Sequence, residues 1–148
     1  MAVLLTKEQI KEIIPHRDPF LLIDEVNEME AGVSCVATKY IKEEDYWFEG
    51  HFPGYPVTPG VLQIEMLAQA GAVTLMYLPE NRGKIGLFAG IDKVKFRRQV
   101  VPGDVLRLET QITRKVGSIV IATGKATVNG EVAATAEMKF ALADTKKD

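Results

Sequence analysis

At 148 residues and 47% apolar composition, the chain is the size of one ordinary domain with one sizeable core, and no stretch is polar or long enough for a linker. Its 18 basic and 20 acidic side chains leave a formal charge of -2, which argues against a nucleic-acid binder, because phosphate counterions are displaced by a basic surface. Cys35 is the only cysteine, so no intrachain disulfide forms, and the opening MAVLLTKEQIKEII lacks the basic start, long apolar stretch and cleavage site of an export signal. A cytoplasmic location is expected.

Thr6 reads as the N-cap of a short helix, with Gln9 completing a capping box and Pro15 marking its end. Phe20 to Val26 (FLLIDEV) and Val33 to Ile41 read as strands around the turn signal Ala31-Gly32, a first hairpin in which Cys35 is half-buried. From about Gly60 to Tyr77 one long helix carries apolar residues in nearly every direction of the helical wheel, which predicts a buried helix. Its length approaches that of a membrane span. Yet Gln63, Glu65, Gln69 and Thr74 interrupt it, and an acid near the centre of a membrane helix costs about 2.5 to 3.5 kcal/mol. No membrane association is expected.

Ile85 to Arg98 follows, where Val94 and Phe96 alternate with Lys93, Lys95 and Arg97 as in a strand with one wet face. Pro102-Gly103-Asp104 turns the chain. Leu106, Leu108 and Ile112 then share one parity, and IVIATGKATV follows the turn at Gly117-Ser118. Asn129-Gly130 is the strongest hairpin signal, because both residues tolerate positive φ, and Val132, Ala134, Ala136, Met138 and Phe140 repeat at every second position beyond it. The last four segments read as an antiparallel meander and ADTKKD as a frayed end. The economical packing is α+β: a curved antiparallel sheet wrapped around a central helix, one domain over residues 1–148.

The chemistry concentrates in FEGHFPGYPVTPGVLQIEMLAQA, Phe48 to Ala70. Glu65 lies on the buried helix with Gln69 at i+4 on the same face. Two readings are open: an acid reaching a rim to pair with a base, or a carboxyl whose burial raises its pKa so that it donates a proton to a leaving group. His51 has the same duality, a loop-structuring imidazole or a general base. What favours the second is the loop around it, where Pro53, Pro56 and Pro59 with Gly50, Gly54 and Gly60 rigidify the approach to the helix N-terminus. The first helical turn has backbone N–H groups without intrahelical partners, so the Gly60 N–H is a candidate oxyanion donor. Base, acid and oxyanion donor are the parts needed for proton abstraction α to a carbonyl.

His16, between Pro15 and Pro19, reads as a structural corner. Lys93, Lys95, Arg97 and Arg98, joined by Arg114 and Lys115, form either an ordinary solvated face or a docking patch for an acidic partner. There is no nucleophile elbow, metal-ligand spacing or Gly-rich phosphate loop, so no cofactor and no metal are expected.

PHRDPFLLID, FEGHFPGYPVTPGVLQIEMLAQ and GIDKVKFRRQVVPGD resemble the matching segments of the (3R)-hydroxyacyl-[acyl-carrier-protein] dehydratase family, FabZ type, from about Thr6 to Leu142. The resemblance implies the hot-dog fold and a homodimer, commonly a hexamer built as a trimer of dimers, with the active site at the dimer interface. It implies His51 as base, Glu65 of the neighbouring subunit as acid and the Gly60 N–H as oxyanion donor. It further implies an acyl tunnel along the helix involving Phe52, Val61, Gln69, Leu87 and Phe88, with Leu87 or Phe88 near its gate. Acyl carrier protein is the implied partner, docking beside Lys93, Lys95, Arg97 and Arg98. Glu65 stands where the dehydratase-isomerase branch has Asp, which favours simple dehydration to the trans-2-enoyl product. Isomerisation to the cis-3 product is the alternative, followed by a hot-dog thioesterase and a non-catalytic acyl-thioester-binding module.

Overall fold

Seven strands, β1 (Leu5–Thr6), β2 (Glu25–Glu30), β3 (Ser34–Tyr40), β4 (Lys84–Phe96), β5 (Val105–Val116), β6 (Ile119–Val128) and β7 (Glu131–Asp144), form one sheet in the order β1-β2-β3-β5-β6-β7-β4. Every neighbouring pair is antiparallel. The structure, a computed structural model, describes residues 2–145. The short helix α1 (Lys7–Lys11) starts at the expected capping box: Gln9 N–H donates to Thr6 Oγ1 at 3.3 Å and Thr6 N–H to Gln9 Oε1 at 2.8 Å.

The long helix α2 (Gly60–Met76) packs on β3, β5, β6 and β7, and twelve of its 17 residues are buried, so the all-round apolar pattern is accounted for by the sheet curving about it. Its seat is close because Gly124 has no side chain: a Cβ there would stand 2.9 Å from Leu67 Cδ1 and 3.0 Å from Met138 Cε. Two buried threonines lock the helix in place. Thr110 Oγ1 donates to Leu67 O at 2.7 Å. Thr74 Oγ1 donates to Glu30 O at 2.8 Å and accepts from Gly32 N–H at 3.0 Å, which ties the β2–β3 turn to α2. These bonds satisfy polar groups that would otherwise be costly inside the core.

Several expectations need correction. The run FLLIDEV is not a strand from Phe20; β2 begins at Glu25, and Leu21, Leu22 and Ile23 are all buried in sequence. They do not alternate, because Leu22 N–H bonds the Gln69 side chain at 2.9 Å instead of a neighbouring strand. Nor do the last four strands form a meander. β5, β6 and β7 do, but β4 pairs with β7 at the far edge and β5 pairs with β3. Alternation fixes which face of a strand is wet and is silent about which strand lies beside it.

β4 also lacks a clean wet face, since register shifts at Phe88/Gly90 and Asp92/Lys95 break its alternation and Lys93 has φ 53. Leu87, Phe88, Ile91 and Phe96 are 40% to 51% exposed along this edge strand. The tail is longer in the sheet than expected: Ala143 and Asp144 belong to β7, and Thr145 Oγ1 donates to Gly83 O at 2.8 Å. The remainder of the expected frayed end, 146–148, lies outside the described residues. Cys35 is fully buried rather than half-buried, and burial pushes its thiol up to about 12. Asn129 and Gly130 adopt φ 50 and 80 in the β6–β7 turn, as their residue types favour.

Candidate active site

The segment before α2 holds His51 by backbone hydrogen bonds on both sides. A 3-10 turn, Tyr46–Glu49, anchors its start through buried Trp47 and Phe48. Phe52 and Tyr55 exchange N–H···O bonds at 2.8 Å each, Val57 N–H donates to His51 O at 3.0 Å, and Thr58 N–H donates to Val100 O at 2.8 Å. The imidazole Nδ1 lies 2.7 Å from Val57 O. A carbonyl oxygen only accepts, so Nδ1 carries a proton, and in the neutral ring the lone pair lies on Nε2. The Phe52 ring stacks on the imidazole with centroids 4.0 Å apart. His51 lines an open cleft with Gly60, Val61, Phe96, Arg97 and Arg98.

Gly60 is the first residue of α2, where N–H groups lack intrahelical acceptors and the dipole is positive. Its missing side chain also has a local steric cause: a Cβ would sit 2.6 Å from Phe96 Cε1.

Glu65 is elsewhere in the same chain, at the mouth of a second cavity shared with His16, Gln69, Ala72, Met76 and Phe88. Its side chain is 19% exposed. Burial pushes its pKa above the ordinary value, while the hydrogen bond from Gln69 pulls in the opposite direction. Gln69 is fully buried and fully committed: Oε1 accepts from Leu22 N–H at 2.9 Å, and Nε2 donates to Phe20 O at 2.8 Å and to Glu65 Oε2 at 2.9 Å. That network fixes which end of the amide faces the acid. Oε2 being an acceptor, the proton of a neutral Glu65 belongs on Oε1.

His16 is the residue that sequence reasoning missed. The structure puts its Nε2 3.8 Å from Glu65 Oε2 and buries its Nδ1 without a hydrogen-bond partner. Burial, and then the charge of Arg17, hold its imidazole below the ordinary value. Both members of the pair are therefore driven toward their neutral forms. No local pattern signals this contact between residues so distant in sequence. Gln69 did carry a signal, its i+4 spacing from Glu65.

The chain thus brings His51, Gly60 and Val61 together in one cleft and Glu65, Gln69 and Phe88 in another. Leu87 lies on the opposite face of β4 from Phe88 and borders neither. Of the expected carrier-docking residues, Arg98 is held by Glu131 at 3.0 Å and Asp104 at 3.6 Å, and Lys93 reaches Glu137 at 4.0 Å. Lys95 and Arg97 are exposed. Arg114 and Lys115 sit on β5, three strands away from β4. Among the described residues no three His, Cys, Asp or Glu side chains are grouped to hold a metal, and no helix is long and apolar enough to cross a membrane.

A family model described as FabA-like domain matches residues 14–137. Proteins named 3-hydroxyacyl-[acyl-carrier-protein] dehydratase FabZ, from Staphylococcus aureus strains JH9 and Newman, are 54% identical over 146 residues, covering 99% of this chain and 100% of theirs. Among solved structures, the dehydratase heterocomplex ApeI:P from Xenorhabdus doucetiae matches with TM-score 0.79 at 18% identity, over 92% of this chain and 91% of that one. A hypothetical thioesterase with coenzyme A from Streptococcus pneumoniae matches with TM-score 0.62 at 13% identity, over 83% and 88%. At such identities the two structures speak to the fold alone, and that fold is the α+β hot-dog.

Proposed function

We propose a reaction from one premise: the chain belongs to the FabA-like domain family, as a FabZ-type 3-hydroxyacyl-[acyl-carrier-protein] dehydratase. It removes water from a (3R)-3-hydroxyacyl thioester on acyl carrier protein, in fatty acid biosynthesis, giving the trans-2-enoyl thioester. His51 Nε2 takes the C2 proton as the Gly60 N–H polarises the thioester carbonyl. Glu65 of the partner subunit gives its Oε1 proton to the 3-hydroxyl, which leaves as water, and a proton passing from His51 to that carboxylate resets the site. The enzyme works as one domain over residues 1–148, in the cytoplasm, as a homodimer assembled into a hexamer. The acyl chain lies in the cavity beside Glu65, and the carrier docks at Lys95 and Arg97.

The observation that carries this reading is the split: His51 has its tautomer set by Val57 O, burial raises the pKa of Glu65 at the mouth of its cavity, and the two line different cavities of one chain. A second copy is the economical source of each cleft's missing group. β4 offers the joining edge, with Leu87, Phe88 and Ile91 exposed. Incubation with (3R)-3-hydroxyacyl carrier thioesters and separation of the products tests it. Trans-2-enoyl thioester is expected; release of free thiol instead would make the protein a thioesterase and sink the proposal.

A further inference from the structure

The cavity beside Glu65 exists because three residues facing it carry little or no side chain: Ala68 and Ala72 on α2 and Gly86 on β4. Its mouth is polar, with Glu65, His16 and Gln69, while Met76, Phe140 and Leu142 make its deeper wall apolar. An apolar void forfeits dispersion contacts that larger side chains would recover. Glycine inside a strand is destabilising relative to alanine, and often marks a bulge or a place where something comes close. At Gly86 there is open space, for a Cβ built there meets only Met76 Cε, at 3.9 Å.

The cavity has a direction. A Cβ on Gly71 would stand 3.8 Å from Phe140 Cε2, so the Phe88–Phe140 ring pair, with centroids 5.3 Å apart, stands midway along α2. Gly86 and Leu142, paired on β4 and β7, stand at the Met76 end. Met76 lies eleven residues beyond Glu65 on the helix, about 16 Å along its axis. A polymethylene chain with bonds of about 1.5 Å advances roughly 1.25 Å per carbon, so roughly a dozen carbons would span that length of helix.

We propose that Gly86 and Ala72 set the longest acyl chain the enzyme accepts, Gly86 by leaving space beside Met76 at the far end and Ala72 by leaving the passage past Phe88 open. The substrates are straight-chain 3-hydroxyacyl thioesters of up to roughly a dozen carbons. This rests on the dehydratase reading, in which Glu65 marks the position of the reacting carbons.

The test uses Gly86→Val, whose β-branched side chain suits a strand, and Ala72→Leu, which suits a helix. For the wild type and each variant, kcat/KM is measured on four-, eight- and twelve-carbon 3-hydroxyacyl carrier thioesters. Thermal shifts are measured with the corresponding acyl-pantetheine amides, which need no turnover. The ratio of twelve- to four-carbon kcat/KM is expected to fall at least about tenfold in each variant, the scale of one to two methylenes rejected by an apolar pocket. The length dependence of the thermal shift should be lost in parallel. An active wild type whose variants keep the same length profile overturns this inference and leaves the dehydratase reading standing. A wild type inactive on every thioester, but with a length-dependent thermal shift that Gly86→Val abolishes, keeps this inference and ends the other. Inactivity without any shift ends both.

Discussion

Gln69 holds Glu65 from one helical turn away, donating to Oε2 at 2.9 Å while its other two polar positions are bound to Leu22 N–H and Phe20 O. The acid is thereby connected to the segment that leads into β2. Gln69→Leu breaks all three bonds with little change in volume and leaves the Leu22 N–H buried without its partner. An unsatisfied buried group costs about 1–3 kcal/mol, so the midpoint of urea unfolding should drop accordingly. The variant also removes the contact that lowers the Glu65 pKa. The alkaline limb of its kcat profile should therefore move to higher pH as kcat itself falls. A lower midpoint with an unmoved limb would restrict Gln69 to a structural role.

The same acid makes stability depend on pH. Burial raises the Glu65 pKa above 4.5, so between 4.5 and that raised value the folded chain retains a proton that the unfolded chain has released. Stability from this residue is present below 4.5 and declines as pH rises through the window. His16 acts at the other end: its folded-state pKa is below 6.5, so the unfolded chain takes the proton first on acidification, and stability is lost as pH falls below 6.5. Glu65→Gln should therefore gain on the wild type with rising pH above 4.5, and His16→Leu should gain with falling pH below 6.5. Urea midpoints across that range decide it, and curves parallel to wild type would remove the pKa argument for either residue.

Gly60 has two separable reasons to be glycine. One is the ring of Phe96, 2.6 Å from where a Cβ would stand; the other, under the proposed reaction, is access of a substrate oxygen to the N–H. Overpacking costs about 1–3 kcal/mol, and the low end applies here because Phe96 is 51% exposed and can swing away. Gly60→Ala is expected to lower stability by about 1 kcal/mol and kcat by at least tenfold. Adding Phe96→Ala should return the stability. If it returned kcat as well, crowding by Phe96 would account for the whole effect and the N–H would have no part in it.

Much of this was legible locally. The period-two runs of β5 and β7, the all-round apolar helix, the Thr6–Gln9 capping box and the Asn129-Gly130 turn are each decided by residues a few positions apart, and all four stand in the structure. What failed depends on distant partners. β4 reads as a strand that continues into β5, yet it pairs with β7, and Leu22 reads as strand although its N–H is taken by Gln69. His16 shows the same limit at the candidate site: Pro15 and Pro19 describe the corner, and nothing nearby in the chain reveals that it faces Glu65.

The division of His51 and Glu65 between two cavities makes one outcome hard to reach any other way. His51→Ala and Glu65→Gln should each lose at least about a hundredfold in kcat as homo-oligomers, since each lacks its proton-transfer group at every site. Mix the two variants, separate the subunits in mild denaturant and let them reassociate. Half of the randomly re-formed dimers then contain one of each, and in such a dimer one interface site has lost both groups while the other has kept both. About a quarter of wild-type activity should return. A site made within one chain would leave one group missing everywhere and return nothing. Absence of recovery in a sample that demonstrably contains mixed dimers would mean that the base and acid do not come from different subunits.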